Sequence, residues 1–194
     1  MLPGGSSARR ICEVKEAAIS GRILIISDSK GHLIENIDTD QIFHNAHLHI
    51  TDMDKMGEYA LGNLEGWKDF PQRSRAGDIL VVGRNFGAGS SRQQAVDCFR
   101  ALRIGAILSP SFGAIYFRNA VNSGFPVLRS PDIVELVEGG KIETGDEIRV
   151  HFLSGEALIT GKDLSFRAIP MSDVQHEIYK AGGLYSYGKI WNRD

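Results

Sequence analysis

The groups best able to do chemistry cluster in one string, Gly83-Arg84-Asn85-Phe86-Gly87-Ala88-Gly89-Ser90-Ser91-Arg92. An apolar run, Ile79 to Val82, leads into it, and Ala95, Val96, Phe99 and Leu102 follow it at helical spacing. A strand, a glycine-rich turn and a helix start make a site for a small anion. Backbone N–H groups at a helix N-terminus lack intrahelical acceptors, and the helix dipole is positive there. Arg92 adds a planar fork that can grip a carboxylate through two parallel hydrogen bonds. A serine oxygen is a poor base alone, but donors held ready around it suit it to abstracting a proton next to a carboxylate. The same residues admit a plainer reading. Ser90 with Gln93, or Ser91 with Gln94, fits the S-x-x-Q capping box, in which the serine only closes a helix end.

Other glycine-loop chemistries fail on the residues. The string is not G-x-G-x-x-G, because Arg92 occupies the third glycine's place and would obstruct close helix packing. Gly-Lys-Ser/Thr, required by a phosphate-binding Walker loop, is absent, and so is the G-x-S-x-G elbow of serine hydrolases. The segment Phe43 to Ile50 holds His44, His47 and His49. As a strand it would place His47 and His49 on one face, but no nearby carboxylate or cysteine completes a metal set, so no metal site is assigned. Asp38-Thr39-Asp40 reads first as a turn whose carboxylates satisfy backbone amides.

These residues need a scaffold. A chain of 194 residues with 42% apolar and 24% charged residues can build one good core. Net charge is −2 with no block of one sign, which gives no electrostatic case for nucleic acid or an anionic membrane. No apolar run is long enough to span a bilayer, and Cys12 and Cys98 stand at no redox or metal spacing; the chain reads as cytoplasmic. Residues 1–20 are expected to be a flexible extension, lacking the apolar stretch of a secretory signal, and residues 21–194 to be the folded domain. The expected order is strand 22–27, a helix from 52 to about 61 capped by Thr51, strand 79–82, helix 91–102, strand 106–109, helix 112–122 and strand 127–128. Such alternation argues for parallel strands joined by crossovers, with Ser90 just past a strand's carboxyl end. Segments 147–152 and 157–160 read as a hairpin, 164–168 as a further strand, and 171–181 as a closing helix ended by Gly182-Gly183. Trp67 and Phe70 read as packing anchors.

The string resembles the G-x-N-[FY]-G-x-G-S-S-R pattern of the aconitase-family swivelling domain, and more closely that of the small subunits of isopropylmalate dehydratases and their homoaconitase-like relatives. Two further segments carry the resemblance. Asn36-Ile37-Asp38-Thr39-Asp40-Gln41-Ile42 looks like N-[IV]-D-T-D-x-I, and Ser111 to Ala120, with Asn122, Gly124 and Pro126, matches in order and spacing. The resemblance implies an α/β fold of the swivelling β/β/α type, with a mostly parallel central sheet and a C-terminal hairpin region.

It also implies roles. Ser90 would be the catalytic base, Ser91 a loop or substrate contact, and Arg92 the clamp on the substrate carboxylate. Asp38, Thr39 and Asp40 would line the substrate site, and His47 and His49 would reach toward the substrate's variable group. Aconitase-like enzymes use an iron–sulfur cluster held by three cysteines, and two scattered cysteines cannot hold one. A [4Fe-4S] cluster is therefore expected on a separate large subunit, this chain binding no cofactor and being inactive alone. The implied activity is interconversion of 2- and 3-isopropylmalate by dehydration and rehydration, in leucine biosynthesis.

Some departures keep alternatives open. Relatives often read Tyr-Leu-Arg-Thr where this chain has His47-Leu48-His49-Ile50, and Glu-His where it has Gln93-Gln94. Loss of that arginine removes a fixed charge, while Leu48 and Ile50 suit a branched alkyl group. A dimethylmalate dehydratase, a homoaconitase-type enzyme, or a carboxylate-binding module without catalysis stay as alternatives. Glu35 stands where relatives often carry the shorter Asp, which would change the reach of any contact it makes to a partner.

Overall fold

In the strand before the glycine string, residues of alternate parity enter different cores, and this alternation sets the architecture. The computed structural model describes residues 17–191. Ile79 and Val81 face one apolar cluster while Leu80 and Val82 face another, as period-two geometry requires of a strand covered on both sides. The strand is β2 (Ile79–Val81), near the centre of a seven-stranded sheet ordered β4-β3-β2-β1-β5-β6-β7. Its neighbours β1 (Ala18–Ile25) and β3 (Ala106–Ser109) both run parallel to it, and β4 (Val127–Arg129) runs parallel to β3.

The sheet changes character within β1. Ile23, Leu24 and Ile25 pair parallel with Ile79, Leu80 and Val81, whereas Ala18 to Arg22 pair antiparallel with β5 (Glu147–His151). Strands β6 (Glu156–Thr160) and β7 (Leu164–Arg167) continue the antiparallel half. The expected α/β fold, with parallel strands and a C-terminal hairpin, is thus present, and the hairpin extends the same sheet. The expected strand at 22–27 starts earlier, because Ala18 to Gly21 find partners only in a segment more than a hundred residues away. A boundary at residue 21 would therefore cut β1, while residues 1–16 of the expected extension lie outside the described residues.

Helices cover the two faces. One cluster packs Leu24, Leu80, Val82 and Ile107 beneath α4 (Gln94–Ala101) and α5 (Ala114–Asn122), with Val96, Phe99 and Ala120 inward. Trp67 and Phe70 anchor the returning loop there, 3% and 0% exposed, and the Trp67 indole N–H donates to the Ser27 carbonyl at 2.9 Å. The other cluster packs Ile23, Ile79, Val81 and Leu108 against Ile133, Val134 and Val137, and against Ile148, Val150, Ala157 and Ile159 from the antiparallel strands. Each such buried side chain contributes about 1.5–3 kcal/mol.

Shorter elements differ from expectation. The single helix expected from Asp52 is one turn, α2 (Met53–Met56), followed by a 3-10 turn at Gly57–Tyr59, and its cap is Asp52, not Thr51. Asp52 Oδ1 accepts from the Asp54 N–H, where a carboxylate is the better partner for a helix start. Further helices complete the fold: α1 (Thr39–Ile42), α3 (Phe70–Arg73), α6 (Ile133–Glu138), α7 (Asp173–Ala181) and α8 (Leu184–Trp191). The expected closing helix is α7; α6 and α8 have no counterpart in the sequence reading.

A buried ion pair ties β1 to the turn that starts β2. Asp78 is 2% exposed, and Arg22 grips its carboxylate with two prongs, Nε–Oδ1 at 2.9 Å and Nη2–Oδ2 at 2.6 Å. The Arg75 N–H donates to the same carboxylate at 2.8 Å. Asp78→Ala strands a half-buried guanidinium and an amide together. It should lower stability by about 2–4 kcal/mol, read as a fall in the urea midpoint with an unchanged slope.

Candidate active site

Parallel strands deliver their carboxyl ends to one edge, so the segments leaving β1, β2 and β3 are neighbours there. Those three exits contain the three motif segments. Their backbones are laced together. The Asn36 N–H donates to the Arg84 carbonyl at 2.8 Å, Gly87 N–H to Ile37 at 2.7 Å, and Thr39 N–H to Ala88 at 2.9 Å. On the other flank Phe86 N–H donates to the Ser111 carbonyl at 3.1 Å and Gly113 N–H to Phe86 at 2.9 Å. The Asn85 N–H donates to Ser111 Oγ at 2.9 Å.

The loop needs unusual backbone. Asn36 and Asn85 both sit at φ 56°, a left-handed conformation that asparagine tolerates, and Asn85 Nδ2 donates to Asn36 Oδ1 at 2.9 Å. Gly87, at φ 74°, lies so close over the Tyr116 ring that a Cβ would come within 2.2 Å of it. Tyr116 is itself 1% exposed, packed edge-on against Phe86 and stacked on Phe112. Burial pushes its phenol well above the ordinary range, so it is a neutral floor to the loop.

On this base Ser90 is exposed, its Oγ 3.3 Å from Thr39 Oγ1. Ser91 is also exposed, and its Oγ accepts from Asn119 Nδ2 at 3.4 Å, from the third motif segment. The N–H groups from Gly89 to Arg92 donate to no acceptor among the described residues. Neither serine forms the capping box. Helix α4 begins at Gln94, and Gln93 at the cap makes no capping hydrogen bond. The Gln93 amide instead donates to Ser123 Oγ at 2.8 Å and Asp97 Oδ1 at 3.2 Å, bracing the loop against α5.

Arg92 is held from one side. Its Nη1 donates to Asp40 Oδ1 at 2.6 Å and to the Phe43 carbonyl at 2.9 Å, while Nε and Nη2 have no acceptor among the described residues. The side chain as a whole is 15% exposed. Asp40 is shared further, accepting from Asn63 Nδ2 at 3.2 Å and from the Asn45 N–H at 3.2 Å. The Arg92 guanidinium holds its carboxyl below the ordinary aspartate value, the Asn45 amide helping.

Asp38 is occupied by local structure. Its Oδ1 accepts from the Asp40 and Gln41 N–H groups, and Gln41 Oε1 accepts from the Asp38 N–H, a complete capping box on α1. His47 and His49 do not share a strand face. Asn45–His47 is a 3-10 turn capped by the His44 ring, whose Nδ1 accepts from the Ala46 N–H at 3.2 Å. The His47 ring stacks on Tyr59 with centroids 4.1 Å apart, and His49 Nδ1 meets the Ala46 carbonyl at 3.0 Å. Neither histidine contacts the serines or Arg92; a link from their turn to α4 runs from Gln94 Nε2 to the Leu48 carbonyl at 3.5 Å. Among the described residues no group of three or more His, Cys, Asp or Glu is placed to hold a metal, and Cys98 is buried with its thiol pKa raised by desolvation. Glu35 pairs with Arg84 at 2.8 Å on the surface.

Sequence reasoning missed Asn63 and Ser123. Both are isolated polar residues in unremarked segments, and only long-range packing reveals them.

The fold and these motifs have counterparts in known proteins. Residues 9–132 match the aconitase C-terminal domain. The 3-isopropylmalate dehydratase small subunit of Caldicellulosiruptor saccharolyticus is 37% identical over 166 residues, 85% of this chain and 92% of that protein. That of Caldanaerobacter subterraneus is 39% identical over 153 residues, 79% of this chain and 91% of that protein. A crystal structure of 3-isopropylmalate dehydratase from Methanocaldococcus jannaschii superimposes with a TM-score of 0.77 at 29% identity, covering 91% of this chain and 96% of that one.

The Asp40–Arg92 pair makes a pH prediction. A carboxyl whose folded pKa is depressed adds stability above its unfolded value and loses it as pH falls through the folded value. In a carbon-13 NMR titration, Asp40 should therefore titrate below the ordinary aspartate value. Arg92→Gln should return Asp40 toward the ordinary value, and an unchanged midpoint in that variant would contradict the pairing.

Proposed function

From its membership of the 3-isopropylmalate dehydratase small-subunit family, within the aconitase C-terminal-domain group, we propose that this chain supplies the base and the carboxylate clamp of an isopropylmalate isomerase. The observation that supports it is the join of an exposed Ser90 hydroxyl, a run of unengaged amides beside it, and an Arg92 fork open on one edge. Each is suited to a carboxylate substrate that loses a neighbouring proton.

The chemistry follows from those groups. Arg92 Nε and Nη2 take a substrate carboxylate side-on, since Nη1 is already committed to Asp40 and Phe43. The Ser90 oxygen accepts the proton from the carbon beside that carboxylate. The C–H electron pair becomes the new double bond as hydroxide leaves the adjacent carbon, and addition of water in the opposite sense gives the other isomer. The unengaged N–H groups from Gly89 to Arg92 leave that stretch electropositive, which favours an anionic Ser90 oxygen over a neutral hydroxyl.

Departure of hydroxide needs an acid that this chain does not bring. A [4Fe-4S] cluster would supply Lewis acidity, but its three thiolates do not fit here: the sequence has two cysteines, and Cys98 is buried on the core face of α4. The cluster belongs in this reading to a large-subunit partner, which covers the Ser90 face and completes the site. Leu48, 38% exposed in the turn that Gln94 ties to α4, suits the branched alkyl group of the substrate. The absence of the usual arginine in this turn favours a second reading, a related dehydratase acting on dimethylmalate.

Anaerobic reconstitution with large subunits tests both readings, using isopropylmalate, dimethylmalate and homocitrate. The chain alone should be inactive, and the complex should prefer isopropylmalate. Ser90→Ala should leave the complex and substrate binding intact while removing nearly all turnover. Ordinary activity in that variant would refute the assignment of the base.

A further inference from the structure

Among the described residues Ser90 has one side-chain hydrogen-bond partner, and it is not a charged group. Thr39 Oγ1 stands 3.3 Å from Ser90 Oγ, and that contact is the hydrogen bond each hydroxyl makes. Thr39 is 3% exposed although it sits beside an exposed serine, too covered to offer its hydroxyl to a substrate. Its position is fixed on three sides. Its N–H donates to the Ala88 carbonyl at 2.9 Å, its own carbonyl accepts from the Phe43 N–H at 3.0 Å, and the Asp38–Gln41 capping box holds the turn before it. Gly89, between Ala88 and Ser90, takes φ 95°, a conformation that L side chains rarely adopt.

We propose that Thr39 is a positioning residue for the base, its hydroxyl donating to the Ser90 oxygen when that oxygen is anionic. The direction of the bond follows from the chemistry. A hydroxyl pair can donate either way, but an oxyanion can only accept, so the proton on this bond must then come from Thr39. The donor is held in place before reaction, so it does not have to reorganise as charge develops. Asp38 and Asp40, on either side in sequence, cannot do this, because their carboxylates are already engaged with amides and with Arg92. Thr39 thus acts through Ser90 and makes no substrate contact.

This inference rests on Ser90 being the base, so the test runs Ser90→Ala beside the threonine variants, all in complex with the large subunit. Thr39→Val keeps the branched shape and removes the donor; it should lower kcat by about 10- to 100-fold and move KM by less than about threefold. Thr39→Ser should restore kcat to within a few-fold of the parent, and Thr39→Ala provides a second donor-less variant should the valine disturb packing. Unfolding midpoints of the free chains should stay close to the parent's. A normal kcat in a folded donor-less variant overturns the proposal. So does a loss confined to KM, which would make Thr39 a substrate ligand, or a serine variant as slow as the valine one. An active Ser90→Ala complex would instead remove the base itself, whereas an inactive one beside a normal Thr39→Val removes only the role given to Thr39.

Discussion

One loop's backbone, sewn between two neighbours, is what the rest of this molecule supports. The segment after β2 gives its carbonyls and amides to the segment after β1 on one side and to the segment after β3 on the other. Each such bond adds only about 0.5–1.5 kcal/mol net, but an amide left unmade in a covered place would cost more than that. The lacing therefore specifies the loop's path more than it stabilises the fold. It works because β1, β2 and β3 are parallel neighbours whose ends emerge together. The two left-handed asparagines and Gly87 over the Tyr116 ring are the local adjustments that let three chains lie this close.

The polar groups at that edge divide into those already satisfied and those left open. Asp38 is used to cap α1, Asp40 to hold Arg92, Asn119 to hold Ser91 and Ser123 to hold Gln93. Left open are the amides from Gly89 to Arg92 and the Nε and Nη2 groups of Arg92, while the Ser90 hydroxyl meets Thr39. A serine oxygen and an arginine can take a proton and orient a carboxylate, but neither helps hydroxide to leave. On the proposed reading these groups are half of what an elimination needs, which accords with a family whose members are named as subunits.

The change of sheet character within β1 backs this edge with a second packed layer. Three strands pair antiparallel beyond β1, and their inward residues fill the cluster on the face opposite α4 and α5. The helices carrying Gln93's contacts and Asn119 thus rest on a sheet packed from both sides. The Arg22–Asp78 pair fastens β1 to the turn that starts β2, which feeds directly into the glycine loop.

Much of this was legible in residues alone. Alternating apolar runs and helical spacing located β2, β3, α4, α5 and the C-terminal hairpin, because those elements bury patterned faces whose period is local. The ten-residue string announced an anion site, since glycines, paired hydroxyls and arginine at a helix start have a chemistry that needs no distant partner. What the sequence could not decide were allocations among competing partners. It offered Ser90 and Ser91 as possible caps and His47 and His49 as one face of a strand, and it named no side-chain partner for Asp40 or Thr39. Packing instead left α4 without a side-chain cap, curled the histidines into a 3-10 turn, and turned Asp40 toward Arg92 and Thr39 toward Ser90. The physical reason is range: backbone periodicity is settled within a few residues, whereas a polar side chain bonds to whichever donor or acceptor the folded chain brings within about 3 Å, often from fifty positions away.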